Sequence, residues 1–226
     1  DTSIVAGPAA HASSTTVTFD FDATRTDVTY DCSLDGGAFT ACTNPVTFTG
    51  LSEGPHTLEV RAVTESGVAD DTPATYAWIV DPVAPDTRVE RGPDALTAEL
   101  QASFEFASDE QDVTYECSLD GAGWSTCGAV TTVTVGHGAH GLVVRAVDLA
   151  GNADTSPAEW RWTVDVVAPD APVIASPSTG ALLTTSTPQV SGSSEPGARL
   201  TITVNGHPAG QAQADASGSW SLVLPP

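Results

Sequence analysis

Asp27-Val28-Thr29-Tyr30-Asp31-Cys32-Ser33-Leu34-Asp35-Gly36 returns as Asp112-Val113-Thr114-Tyr115-Glu116-Cys117-Ser118-Leu119-Asp120-Gly121. Asp1-Thr2 likewise returns as Asp86-Thr87, and Cys42 as Cys127. After one residue is lost between Cys127 and His140, His56, Arg61, Trp78 and Asp81 match His140, Arg145, Trp162 and Asp165. The chain therefore contains one unit twice, and such self-similarity decides the architecture before any single strand does.

Apolar residues alternate with polar ones throughout both copies. Val17, Phe19 and Phe21 form one such series, and Leu58, Val60 and Ala62 another. Tyr76, Trp78 and Val80 form a third. The second copy has Phe104 and Phe106, then Leu142, Val144 and Ala146, then Trp160, Trp162 and Val164. Period two with one apolar face predicts half-buried antiparallel strands, and about seven short strands per copy predict a β-sandwich. Each copy closes on an acidic Pro-containing joint, Asp81-Pro82-Val83-Ala84-Pro85-Asp86 and Asp165-Val166-Val167-Ala168-Pro169-Asp170. Proline restricts such a link. Residues 169–226 lack Cys and do not align with the copies, yet Leu200, Ile202 and Val204 alternate into Asn205-Gly206, a hairpin signal. About five strands are expected there, short of a full sandwich, which predicts an open edge. The fold expected is all-β, with tandem immunoglobulin-like β-sandwiches over 1–83 and 84–168 and an incomplete, truncated third module over 169–226.

Cys32/Cys42 and Cys117/Cys127 each bracket a Gly-containing turn. In a hairpin centred near residue 37, positions 32 and 42 face each other, so a disulfide is expected in each copy. Zinc sites favour closer ligand pairs, and no second pair stands nearby. Disulfides imply an oxidising, extracytoplasmic place, secreted or at the cell surface.

Tyr30 to Phe39, Cys42, Gly50-Leu51-Ser52-Glu53-Gly54-Pro55-His56-Thr57-Leu58 and Trp78-Ile79-Val80-Asp81 resemble a bacterial Ig-like repeat. Such repeats stand in tandem in very large secreted and cell-surface proteins, of adhesin or gliding-motility type. Arg145 to Asp154 lies closer to the pattern than its counterpart in the first copy. Gly192 to Ala198, Val204-Asn205-Gly206 and Ala214 to Ser221 resemble a different bacterial Ig-like module. The resemblance implies a stalk or spacer, with calcium at module joints in some relatives.

The chain has 226 residues and a formal net charge of −22, with 7 basic residues against 29 acidic ones. That balance argues against nucleic acid and anionic lipid, both of which need clustered cations. No apolar run is long enough for membrane insertion. Among candidate sites, Asp148, Asn152 and Asp154 form an oxygen-rich loop of the kind calcium takes, although Asp and Asn are also ordinary turn formers. The joint residues Asp81, Asp86, Asp165 and Asp170 are the second calcium candidate, against the reading of a solvated linker. Trp124, in the second cysteine turn, can stack on a sugar or cover the adjacent disulfide. His56 and His140 are expected to bond turn backbone, and His137 with His140 lacks a third zinc ligand. No nucleophile elbow, phosphate loop or metalloprotease motif is present. The expected role is a non-catalytic structural spacer that projects or anchors an adhesive or motility element. Its partners are the neighbouring Ig-like modules. A surface glycan or protein is the partner if the chain binds directly. An accessory domain of a secreted enzyme is a further alternative.

Overall fold

Alternation in the first copy becomes eight strands, β1 (Thr2–Ala6), β2 (His11–Ala12), β3 (Val17–Ala23), β4 (Val28–Leu34), β5 (Thr40–Cys42), β6 (Val46–Phe48), β7 (Gly54–Thr64) and β8 (Ala74–Val80). They form a sheet ordered β1-β3-β6 and another ordered β2-β8-β7-β4-β5. The second copy repeats this with β9 (Thr87–Arg91), β10 (Leu96–Thr97), β11 (Gln101–Ser108), β12 (Thr114–Leu119), β13 (Ser125–Cys127), β14 (Val130–Thr134), β15 (Gly138–Val147) and β16 (Ala158–Val164). Its sheets run β14-β11-β9 and β10-β16-β15-β12-β13. The computed structural model describes all residues 1–226. Both sandwiches lie in one compact unit, Asp1–Asp165, and Val166–Pro226 forms a second unit.

Each core follows from the alternation. Phe19 is fully buried between the sheets with Leu58, Val60, Trp78 and Val80. Its ring meets Trp78 edge-on at 5.0 Å and Tyr76 at 5.4 Å. Phe104 and Trp162 repeat the pair at 5.3 Å. Such aromatic pairs add about 0.5–1.5 kcal/mol beyond their area. Trp160 is half-buried and its indole N–H donates to the Pro93 carbonyl at 3.1 Å.

In each sandwich the second strand and the last are parallel neighbours. β2 runs beside β8, where Ile79 N–H donates to Ala10 O at 2.8 Å and Asp81 N–H to Ala12 O at 2.9 Å. In the second copy, Thr163 N–H donates to Ala95 O at 2.9 Å and Asp165 N–H to Thr97 O at 2.8 Å.

The hairpin that carries the cysteines turns on Asp35 and Gly36, at φ 52° and 70°, with Gly37 N–H donating to Leu34 O at 3.0 Å. Two consecutive positive φ values make the type I′ turn that suits strand twist. Asp120-Gly121 repeats it at 52° and 76°. The turn thus centres on residue 36 rather than 37. Cys42 consequently pairs in register with Tyr30, and Cys32 with Thr40. The disulfide Cys32–Cys42 is diagonal across the ladder, with its Cα atoms 5.8 Å apart. Cys117–Cys127 spans the same 5.8 Å. The bonds form as expected, but between diagonal neighbours and not facing ones.

The second unit holds β17 (Val173–Ser176), β18 (Gln189–Ser193), β19 (Arg199–Val204), β20 (His207–Gln213) and β21 (Ser219–Val223). Asn205-Gly206 makes the expected turn between β19 and β20, at φ 54° and 81°. One sheet is β17-β18-β21 and the other only β19-β20. Val190, Leu200, Ala214 and Trp220 form its small core. Gly192 permits close strand contact there, because a Cβ would lie 1.8 Å from Val173 O. The outer edge of β19 has no partner strand, and beside it a groove of about 540 Å³ is lined by Ile174, Leu200, Ile202 and Trp220.

Candidate functional site at the first joint

The loop between β15 and β16 is ordered by its own acid. Asp148 Oδ1 accepts the Asn152 N–H at 2.7 Å, and Gly151 takes φ 86° to close the turn. This presents the Asn152 side chain to the joint. Its amide Nδ2 donates to Asp81 O at 2.8 Å, to Val83 O at 3.0 Å and to Asp148 Oδ2 at 2.7 Å. An amide NH₂ has two protons, so one contact is shared. A loop of the second sandwich thereby holds the backbone of the chain leaving the first. Asn152→Ala is expected to widen the spread of angles between these two sandwiches while leaving each sandwich folded. Residual dipolar couplings measured on both sandwiches check this, and an unchanged relative alignment counts against the clamp.

Three carboxylates converge at the same place. Oxygens of Asp81, Glu110 and Asp148 lie within 4.8 Å of one another, all half-buried. Glu110 is held above the usual carboxylate range, first by burial and then by the charges of Asp81 and Asp148, with Asp109 and Glu53 adding to them. Like charges this close disfavour full ionisation. The donor set is oxygen only, which suits a hard cation such as calcium.

The structure brings Asp81, Asp148 and Asn152 together and leaves the other candidates elsewhere. Asp86 lies outside the cluster, and its N–H donates to Asp109 Oδ1 at 2.8 Å. Asp165 stands 3.6 Å from His137. Asp170, in the second unit, gives its N–H to Glu195 at 3.2 Å. Asp154 is 3% exposed and its carboxylate is already occupied. It accepts Thr87 N–H at 2.9 Å, Ser156 N–H at 2.7 Å and Ser156 hydroxyl at 3.1 Å. Thr87 Oγ1 in turn accepts Ala146 N–H at 2.7 Å. Asp154 thus pins the first strand of its sandwich and is not placed to share a cation with Asp148.

The first copy keeps that pin. Asp70 accepts the Thr2 hydroxyl at 2.8 Å, and Thr2 Oγ1 accepts Ala62 N–H at 2.8 Å. The Thr72 N–H, with the Thr2 and Thr72 hydroxyls, holds the Asp70 carboxyl down to about 2. What the first copy lacks is the clamp, since Thr64, Val68 and Arg25 stand where the second has Asp148, Asn152 and Glu110. Glu110 is the site residue that sequence reading passed over. The available signal was this difference between copies, in which three positions change together.

Trp124 is 40% exposed, and the Arg145 guanidinium lies 4.3 Å from its ring centroid. Arg61 lies over Phe39 at 4.1 Å in the first copy. One face of each ring is therefore taken by a cation from the same sheet.

No family model matches the sequence, and no curated protein matches it. Among solved structures the chain is similar to the fibronectin(III)-like modules of Clostridium thermocellum CbhA, at 16% identity over 73% of this chain and 94% of that one, with a TM-score of 0.46. It is also similar to a 1.5-MDa bacterial ice-binding adhesin, at 16% identity over 99% of this chain and 86% of that one, with a TM-score of 0.41. A Ca²⁺-stabilized adhesin of an Antarctic bacterium that binds ice is 19% identical over 99% of this chain and 65% of that one, with a TM-score of 0.41.

Proposed function

We propose that this chain is a non-catalytic spacer segment of a large secreted or surface-exposed bacterial protein, one that projects or anchors an adhesive or motility element. The observation that carries the reading is the first joint, where Asn152 ties down the Asp81 and Val83 carbonyls. Holding a linker in place serves distance and direction more directly than it serves turnover. Two disulfides support an oxidising compartment. The third segment, with its free β19 edge, is completed in this reading by further strands against that edge.

In the same reading Asp81, Glu110 and Asp148 hold calcium, with carboxylate oxygens and water completing the shell. Thermal unfolding in calcium and in EDTA, at fixed ionic strength, tests it. A ligand at 100 times its Kd adds about 2.7 kcal/mol to the folded state, so a calcium-specific rise absent with magnesium is expected. It should vanish in Asp148→Asn. No rise, or an equal rise with magnesium, removes the cation and leaves the covalent and amide ties as the stiffening devices. Saturable binding on a glycan array, lost in Trp124→Ala, would overturn the spacer reading in favour of direct binding through the ring face that Arg145 leaves open.

A further inference from the structure

Both copies carry an imidazole, buried in the first and half-buried in the second, whose two nitrogens each face an oxygen acceptor. In the first copy His56 is 6% exposed. Its Nδ1 lies 2.8 Å from Asp35 Oδ2 and its Nε2 lies 2.8 Å from the Ser52 carbonyl. In the second, His140 Nδ1 lies 2.9 Å from Asp120 Oδ2 and Nε2 lies 3.0 Å from the Gly136 carbonyl. A carbonyl oxygen can only accept, so Nε2 must carry a proton. An ionised carboxylate can only accept, so Nδ1 must carry one too. A neutral imidazole has one N–H and one lone pair. It would therefore aim a lone pair at one of the two oxygens.

We propose that each sandwich is locked by a single proton, held on His56 and on His140, which closes a clasp between the cysteine hairpin and the loop entering β7 or β15. The carboxylate end of the clasp is built by the hairpin turn itself. Asp35 sits at positive φ, and its Oδ1 accepts Thr57 N–H at 2.9 Å while its Oδ2 faces the imidazole. Asp120 does the same with Gly141 N–H at 2.9 Å. The aromatic floor is supplied by Trp78, 5.5 Å from the His56 ring and 28° from parallel, and by Trp162, 5.5 Å from His140. A ring face favours a cation over a neutral ring.

The groups facing each histidine are few. From the β4–β5 turn comes the Asp35 carboxylate, from the β6–β7 loop the uncharged Ser52 carbonyl, and from β8 the uncharged indole of Trp78. For His140 they are Asp120, the Gly136 carbonyl and Trp162. Consistent with this geometry, His56 is held above its ordinary value first by the Ser52 carbonyl and then by Asp35, against burial. For His140 the Asp120 bond comes first. Burial pushes Asp35 and Asp120 up, but their bonds outweigh it and both are held down. A raised histidine value contributes stability that is full below the unfolded value, about 6.5, and is lost as pH rises through the folded value. A lowered aspartate value contributes stability that is present above about 3.9 and is lost as pH falls through the folded value. The clasp is therefore tightest between about pH 4 and about pH 6.5 and loosens on the alkaline side.

Nitrogen-15 side-chain spectra of the whole chain, titrated from about pH 5 to about pH 9 across the histidine range, decide the matter. Both ring nitrogens of His56 and His140 should stay protonated beyond the ordinary imidazole value of about 6.5. Asp35→Asn is the control, because asparagine also tolerates positive φ in this turn. It should lower the His56 midpoint and leave that of His140 in place. A midpoint for His56 or His140 at or below about 6.5 overturns the proposal. An unmoved His56 midpoint in Asp35→Asn overturns it as well, and the wild-type titration stands even if the variant fails to fold.

Discussion

Replacing Cys117 and Cys127 together by alanine is expected to destabilise the second sandwich by about 2.7 kcal/mol, the chain-entropy value for a loop of this length. The separation is 10 residues. For a domain of this size the midpoint of its thermal transition should fall by roughly 10–20 °C. The local structure explains why little else can compensate. β13 has three residues and pairs with β12 at three positions along an edge of the sheet. Outside the disulfide, that edge keeps the Ser118 hydroxyl bond to the Ala122 carbonyl, a long Ser125 hydroxyl bond to the Cys117 carbonyl at 3.4 Å, and Arg145 over Trp124. Calorimetry of the variant beside the parent measures the change. A loss below about 1 kcal/mol, the worth of one ordinary hydrogen bond, would mean that those contacts already hold the hairpin.

Asp154→Ala is expected to cost about 3 kcal/mol, since it strands the Thr87 and Ser156 donors that the carboxylate satisfies. Unlike the loss of a cation ligand, the cost should be equal in calcium and in EDTA. Burial raises the Asp154 carboxyl, but Thr87 and Ser156 outweigh it and hold the group low. Its contribution is then present above about pH 3.9 and is lost as pH falls through the folded value. Urea unfolding at neutral pH, with and without calcium, checks both parts. A penalty that appears only in calcium would return Asp154 to the role of ligand.

The strands that could be read from sequence were those with long alternation, and the reason is burial. β3, β7, β8 and their counterparts place apolar residues against the opposite sheet at every second position. β2, β10 and β13 could not be read that way. They have two or three residues each, and Leu96 in β10 is largely exposed. Backbone pairing defines them, and backbone pairing leaves no periodic trace. The same limit applied to the joint. Asp148 and Asn152 announced themselves by spacing, but Glu110 reaches them from a different loop and Asp81 from the linker. Asp154 shared the spacing of a ligand yet served the backbone of β9, because its neighbours present N–H groups to it. The diagonal disulfide turned on the centre of the hairpin, which the positive-φ pair Asp35-Gly36 fixes one residue earlier than symmetry between the cysteines suggests.

The parallel pairing of β2 with β8, and of β10 with β16, has a mechanical consequence. The chain enters each sandwich through β1 or β9 on the opposite sheet, then forms β2 or β10, and leaves by β8 or β16. Once β1 or β9 has parted from its neighbour, a pull on the two ends drags the parallel strands along their length in opposite directions. Ile79 N–H on Ala10 O and Asp81 N–H on Ala12 O then bear load in shear, together, instead of parting one after the other as in an unzipped hairpin. Thr163 and Asp165 carry the same load in the second sandwich. The disulfides lie at the far side of the sheet, outside this path, so behind β1 and β9 the tension is resisted by two such backbone hydrogen bonds in each sandwich and by the packing beneath them.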